Sequence, residues 1–357
     1  MTRIALVMIV RDEAERLERC LLSAAPFVER TIVLDTGSTD GTPALASALG
    51  AEVHHFAWVD DFAAARNAAL DLSDAAWNLV LDADEWIEQG GEAIADAVNG
   101  DRRFIGAARI LNAMDLDGGL EVSSTWIPRL LPSGVRYAGK IHEQPVSDLP
   151  RYRIDLQLGH DGYRAEALAR KKARNLKMLL AAVEDDPEDG YLLFQTGKAH
   201  QVYGDYAAAA RYLTKALANT RPGEPFRHPL VVNAIYALKM AGEIDAALAL
   251  VDAEFGGWQT SPDFLFVMGD VYLEKASRDP DHAMKEHLPL VEYAWTRCLE
   301  VGEQDRLEGS VRGRGSHMAA HNLAVFYETL GLKDKARHFA EEAARMRAGG
   351  PQQVMQS

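Results

Sequence analysis

The chain has 357 residues, more than one hydrophobic core ordinarily supports, so two domains are expected. Its 53 acidic residues against 38 basic ones give a formal charge of -15, a surface field that repels phosphate backbones and argues against nucleic acid as a partner. The two cysteines, Cys20 and Cys298, lie far apart in apolar helical patterns, which is the usage of a reducing compartment and predicts buried thiols rather than ligands.

The first apolar run, Ile4 to Val10, has a single basic residue, Arg3, before it and no small-residue cleavage pattern. It is too short to cross a membrane and predicts a β-strand, and with it a soluble, cytoplasmic protein with no integral membrane segment. A helical pattern follows at Leu17, Cys20, Leu21 and Leu22, then a strand at Thr31 to Leu34 that breaks at Asp35-Thr-Gly-Ser-Thr-Asp-Gly41. That loop of turn formers leads into a helix over Pro43 to Leu49. Strands are expected next at Glu52 to Phe56 and at Trp77 to Leu81, the latter ending in Asp82-Ala-Asp-Glu85. The alternation is the βαβ pattern of a parallel sheet, and carboxylates collect where the strands end, the edge at which open sheets bind ligands.

From Glu166 onward the sequence turns to alanine-rich helical periodicity with internal repeats. One unit runs Leu193, Gly197, Gly204-Asp-Tyr206, Ala209, Leu213 and Ala216; a second reads Leu238, Gly242-Glu-Ile244, Ala247 and Val251. A looser third starts at Leu265, Gly269 and Tyr272 and is interrupted by an insertion with Pro280 and Pro289; a fourth reads Leu323, Ala324, Tyr327, Gly331-Leu-Lys333, Ala336 and Ala343. The spacing approximates the 34-residue tetratricopeptide repeat, in which small residues let paired helices approach.

Asp82 and Asp84, one residue apart at a strand end, can meet a hard divalent cation such as Mg²⁺ or Mn²⁺ while leaving positions open for a diphosphate. Two further acidic loops, Asp35 to Asp40 and Asp60-Asp61 just before Arg66-Asn67, are expected at the same edge, where they would repel one another unless a cation or a set of donors resided there. Asp40 is read as a helix cap and Asp35 as a carboxylate able to accept from an N–H of a ligand base.

Met8-Ile-Val-Arg-Asp-Glu13, Val33-Leu-Asp-Thr-Gly-Ser-Thr-Asp-Gly41, Phe56-Ala-Trp-Val-Asp-Asp-Phe62 with Ala65-Arg-Asn67, Leu81-Asp-Ala-Asp-Glu85, Gly139-Lys-Ile-His-Glu143 and His160-Asp-Gly-Tyr163 stand in fixed order. This set resembles family 2 glycosyltransferases of the GT-A fold, and most closely the branch fused to tetratricopeptide repeats, which includes enzymes that glycosylate bacteriocin peptides. The resemblance implies an α/β, Rossmann-like catalytic domain with a mostly parallel sheet over 1–165, a linking helix over 166–186, an all-α tetratricopeptide superhelix over 187–348 and a disordered tail over 349–357. It places Val10, Arg11 and Glu13 around the base and ribose of a nucleotide sugar, a UDP-sugar above all, and Asp35 on the base. It puts Arg66 near the nucleotide or its diphosphate, Asp82 and Ala83 at the ribose or sugar, Asp84 on a Mn²⁺ or Mg²⁺ ion, and His160 on the same ion or against the diphosphate. Where Asp12 stands the family more often has Asn, a residue that caps a helix equally well.

A transferase that inverts the anomeric centre needs a base, and the resemblance assigns that role to Glu143, whose structural alternative is a loop glutamate paired with Lys140 or Arg136. The acceptor can be a peptide or protein held on the repeats, with a small molecule or polysaccharide as the alternative. A tetratricopeptide scaffold with an inactive catalytic domain is the competing reading; a nucleotidyltransferase would want a Gly-rich phosphate loop that the chain lacks. The sequence is silent on which sugar is moved and on oligomeric state.

Overall fold

The computed structural model describes residues 3–99, 102–116, 119–160 and 165–349, with side chains except at 112–116, 119–123, 165–173 and 349. Apart from Gly349, the tail expected at 349–357 lies outside the described residues. The chain divides into two compact units, Met1–Leu120 with Ser124–Asp185, and Asp186–Ser357 with Glu121–Ser123.

The first unit is built on strands β1 (Ile4–Val10), β2 (Arg30–Asp35), β3 (Glu52–His55), β4 (Trp77–Val80), β5 (Glu85–Gln89), β6 (Ile105–Leu116), β7 (Gly119–Pro132), β8 (Arg136–Ala138), β9 (Gln144–Val146) and β10 (Arg151–His160). Eight of them form one sheet in the order β3-β2-β1-β4-β7-β6-β10-β5, and β8 and β9 form a separate antiparallel hairpin. Pairings β3 to β2, β2 to β1, β1 to β4 and β6 to β10 are parallel, whereas β4 meets β7 and β10 meets β5 in antiparallel fashion. The sheet is therefore mixed at its far side, beyond the strands that the apolar runs of the first ninety residues mark.

Why β1 reads as an unbroken apolar run follows from burial on both faces. Ile4, Leu6, Met8 and Val10 enter one core, with Leu17, Cys20 and Leu21 of helix α1 (Leu17–Ala24), Ala46 of α2 (Thr42–Ala48) and Ile94 of α4 (Glu92–Val98). Ala5 and Val7 enter the opposite core, with Ala63, Ala69 and Leu70 of α3 (Phe62–Asp71). Helix α5 (Ala165–Asp185) completes this unit. Because β1, β2 and β4 run parallel, Val10, Asp35 and the Asp82–Asp84 loop arrive at one sheet edge, with Val10 and Asp35 in direct register.

The second unit consists of α6 (Gly190–Val202), α7 (Tyr206–Ala218), α8 (Arg227–Met240), α9 (Ile244–Trp258), α10 (Pro262–Arg278), α11 (Pro280–His282), α12 (Leu288–Val301), α13 (His317–Thr329) and α14 (Lys333–Gly349). They pack as consecutive antiparallel-type pairs of the tetratricopeptide kind, joined at tight turns where Gly204, Gly242 and Gly331 take positive φ of 73°, 83° and 75°. Close approach explains the small residues inside the pairs: a Cβ on Gly197 would come within 2.5 Å of Leu213, and one on Gly269 within 2.4 Å of the Trp295 indole. The insertion in the third repeat forms α11 and a π-helical turn at Ala283–His287 before Pro289 opens the next helix. Among the described residues no helix is long and apolar enough to cross a membrane.

Candidate active site

The loops that follow β1 and β2 are laced together by short polar side chains. Asp12, at φ 54°, accepts through Oδ1 from the Thr39 amide at 2.7 Å, and its own amide donates to Ser38 Oγ at 2.9 Å. The Glu13 amide donates to Thr42 Oγ1 at 2.8 Å, and Asp40 accepts from the amides of Ala14 and Thr42. Asp40 thus serves the first turn of α2, although Gly41 holds the formal cap position, and it also ties the two loops together. Val10 supplies a carbonyl to Thr36, whose amide and hydroxyl donate at 2.9 and 3.0 Å. Arg11 is exposed beside this seam.

Asp35 ends β2 with 4% of its surface exposed. Burial alone would raise its carboxyl, but the Ser38 hydroxyl and amide, the Gly37 amide and the His55 ring outweigh that and hold it below the usual carboxylate range. An ionised acceptor therefore stands at the floor of the loop.

The Arg66-Asn67 pair on α3 has a structural role that its sequence spacing does not reveal. Asn67 exchanges two 2.9 Å hydrogen bonds with the backbone of Tyr137, which fastens the β8–β9 hairpin to α3. Arg66, 7% exposed, donates through Nε to Glu143 and through Nη2 to Asp82 at 2.7 Å. Arg129 on β7 donates to the second Asp82 oxygen at 2.7 Å and to Glu85, while Glu85 also accepts from the Asp82 amide at 3.1 Å. The partner of Glu143 is accordingly Arg66, not Lys140 or Arg136, which pair with Asp185 and Asp71. Burial works to raise Asp82, but Arg66 and Arg129 override it and hold the carboxyl far below its ordinary value; burial pushes Glu85 up against the pull of Arg129. Both Asp82 oxygens are committed to arginines, so the repulsion expected among the acidic loops is met here by built-in donors. At Asp61 it is met by the first turn of α3, whose Ala64 amide it caps at 2.9 Å, and at Asp60 by the Trp58 indole at 2.8 Å.

Asp84 stands two residues beyond Asp82 in the same loop. Its Oδ2 lies 3.7 Å from His160 Nε2, the last residue of β10, and both side chains are mostly buried, at 15% and 22% exposure. Burial would lower the His160 imidazole, but Asp84, with Glu85 and Asp82 behind it, raises it. The approach of the two is set by the antiparallel register of β10 on β5, which places His160 opposite Glu85 and Gly159 opposite Trp86. Gly159 has to be bare, since a Cβ there would come within 2.2 Å of the Trp86 ring, over which the Arg19 guanidinium also lies, 3.3 Å from the centroid. A small cavity of about 70 Å³ opens beside this stack, lined by Arg16, Cys20, Ala83, Asp84 and Trp86 among others. Cys20 itself is buried and its thiol is raised well above its ordinary value, by burial first and then by Glu85, Asp82 and Asp84, so it is an inert packing group.

Carboxylate oxygen beside imidazole nitrogen is a donor pair that suits Mn²⁺ or Mg²⁺, and the remaining positions would fall to a diphosphate and water. Among the described residues no cluster of three His, Cys, Asp or Glu could hold an ion without such help. The structure therefore brings together two groups of predicted residues: Val10, Glu13 and Asp35 at the β1–β2 seam, and Arg66, Asp82, Ala83, Asp84, Glu143 and His160 around the end of β4. Sequence reasoning missed Arg129, Tyr137 and the Trp86–Gly159 contact; the one local signal for Arg129 was a lone cation beside Leu130-Leu131 in an apolar run.

Residues 5–111 match the family model described as Glycosyl transferase family 2. The first unit carries a family 2 glycosyltransferase domain. Over 272 residues the chain is 35% identical to a TPR repeat-containing protein of Synechococcus elongatus, a match covering 70% of this chain and 64% of that one. It is 25% identical over 264 residues to the SPbeta prophage-derived glycosyltransferase SunS of Bacillus subtilis, covering 68% and 60%. The chain thus spans less than two thirds of the length of either relative. Among solved structures, the crystal structure of MamA overlays 52% of this chain and 96% of its own at a TM-score of 0.39 and 17% identity, too loose an overlap to bear on function. The family 2 domain and the helical repeats thus occupy one chain, in the order its motifs imply.

Proposed function

We propose that the protein is a glycosyltransferase that moves a sugar from a nucleotide sugar, a UDP-sugar by preference, to an acceptor with inversion, assisted by Mn²⁺ or Mg²⁺. The observation that carries this reading is the convergence of Asp84 and His160 at 3.7 Å beside a family 2 sheet edge. A bound divalent ion would supply charge neutralisation to the leaving diphosphate, and Asp84 and His160 would hold it.

The rest of the chemistry falls to the chain's own groups. Asp35, kept ionised by its loop, accepts an N–H of the base, the interaction that favours uracil over bases lacking an N–H at that position. Arg66 and Arg129 fix Asp82 at the sugar side of the ion site, so that its backbone turn presents Asp84. Glu143 takes the acceptor proton, aimed by the Arg66 contact and by the hairpin whose His142 adopts φ 52°. The repeats hold the acceptor, a peptide or protein.

The test is calorimetric titration of UDP, with and without Mn²⁺, on the wild type and on Asp84→Asn. Removing one full negative charge from the ion's surroundings should abolish the manganese-dependent part of UDP binding together with turnover. UDP binding that stays manganese-dependent in this variant would undo the reading.

A further inference from the structure

Between α12 and α13 the chain leaves the repeat pattern for the segment 302–316, which carries Gly302, Gly309, Gly313 and Gly315 and the arginines 306, 312 and 314. It is not a free-standing connector. It lies along the first helices of two successive repeats, α8 and α10. The Glu308 carbonyl accepts from His228 Nδ1 at 2.7 Å, and His228 Nε2 in turn accepts from the Ser261 hydroxyl at 2.7 Å. Gly309 sits so tightly on Pro229 that a Cβ would come within 2.7 Å. The Asp263 carboxylate, 1% exposed, accepts from the Val311 amide at 3.0 Å and from Arg314 Nη1 at 3.1 Å, and the Arg314 guanidinium lies 5.5 Å over the Phe266 ring.

The segment is a succession of turns, with the Leu307 amide donating to the Gln304 carbonyl and the Arg314 amide to the Val311 carbonyl, and it meets the helices through main-chain groups plus one anchoring side chain. Asp263 and Phe266 stand at i and i+3 of α10, so one helical face offers a carboxylate beside a ring, complementary to a guanidinium, while Asp270 at i+7 is held by Lys239 at 3.3 Å. The fit in cis is incomplete. Asp263 Oδ2 and Arg314 Nε are both buried without a partner although they belong to the same ion pair. A two-bond fork between carboxylate and guanidinium would satisfy both, and an untethered arginine is free to form it.

We propose that this face of the repeats is a peptide-binding surface closed in cis by residues 303–316, and that it takes in trans a glycine-rich peptide able to form the same turns, whose arginine enters the Asp263–Phe266 pocket. The proposal stands whatever chemistry the first unit performs. As a tethered competitor the segment acts at an effective concentration on the order of millimolar, so an incoming peptide has to exceed it in concentration or in fit.

The probe is a labelled synthetic peptide with the sequence of residues 303–316, measured by fluorescence anisotropy on the full chain. In one variant Gln304–Arg314 is replaced by a glycine–serine run of equal length. The peptide should bind this opened protein at least about tenfold more tightly than the wild type, and a peptide with Arg314→Ala should lose at least about tenfold of that gain. Hydrogen exchange on the wild type reads the same event without altering the fold. Saturating unlabelled peptide should speed exchange across 303–316 while the amides of α8 and α10 stay protected. Equal binding to a folded opened variant and to the wild type would overturn the proposal. If the opened variant does not fold, unchanged exchange of the segment in the wild type at saturating peptide does so instead.

Discussion

Within each unit, elements are brought close by different means. In the first, Arg66 and Arg129 bind three carboxylates, Asp82, Glu85 and Glu143, drawn from separate elements and mostly buried. In the second, closeness comes from absent atoms: Gly197 against Leu213 and Gly269 against Trp295. A charge network fails through whichever charge is left unpaired, because its desolvation has already been incurred. A small-residue contact fails through collision, and its neighbours can partly relax.

The largest effect expected from breaking this contrast is chemical. Glu143→Gln preserves shape but cannot take a proton, so transfer in a single-turnover assay should slow by about a hundredfold to ten-thousandfold while UDP and Mn²⁺ affinity survive. Near-normal turnover would assign Glu143 to holding Arg66 alone. Next in size is Arg129→Met, which strands Glu85 and leaves Asp82 with Arg66 alone, and which should cost the first unit about 3 to 5 kcal/mol, read by hydrogen exchange of β1 and β4 so that the units are scored separately. Adding Glu85→Leu should recover a large part of that loss, an outcome no packing explanation predicts. On the other side of the comparison, Gly269→Ala should cost the second unit about 1 to 3 kcal/mol by displacing Trp295, with the first unit's exchange unchanged.

The smallest effect concerns pH. Burial is the main cause that lowers the His228 imidazole, opposed by the Glu308 carbonyl and Asp263 and reinforced by Arg314, so the folded protein keeps this ring neutral where the unfolded chain would charge it. The stabilising contribution is then complete above about pH 6.5 and is lost as pH falls below that value, at no more than about 1.4 kcal/mol per pH unit. His228→Gln should flatten that slope in the second unit's unfolding free energy relative to the wild type. Parallel pH curves for the two proteins would remove His228 as the source.

How far the sequence reaches differs along the same lines. Ile4–Val10, the Asp35–Gly41 loop and the repeat signature at Gly204, Gly242 and Gly331 are local patterns, set by burial on two faces, by turn chemistry and by helix-pair geometry, and they are legible residue by residue. Asp84 and His160 are legible only as members of ordered motifs; their meeting depends on β10 lying antiparallel to β5, which no nearby residue announces. Arg129 reaches Asp82 because β7 pairs with β4, with Leu130 opposite Leu79. Such a partner is chosen by sheet order, and neither Arg129 nor Tyr137 belongs to any spaced pattern. The segment 302–316 is hidden for a like reason: glycines and arginines ordinarily mark an exposed linker, and its buried contacts exist only once α8 and α10 stand side by side.

The stack of Arg19, Trp86 and Gly159 has an implication for how this domain can vary. With the indole filling the space a side chain at 159 would need, the stretches Glu85–Ile87 and Leu158–His160, which pair residue for residue beyond the bulge at Glu88, act as a ruler that cannot be lengthened. One residue inserted between Leu158 and His160 would turn the imidazole to the opposite face of the sheet and bring a side chain against the indole, separating His160 from Asp84 without touching either. Variation in length is therefore confined to the connections outside these two stretches, and a one-residue insertion inside them is a way to disable the site while leaving every polar group of it in the sequence.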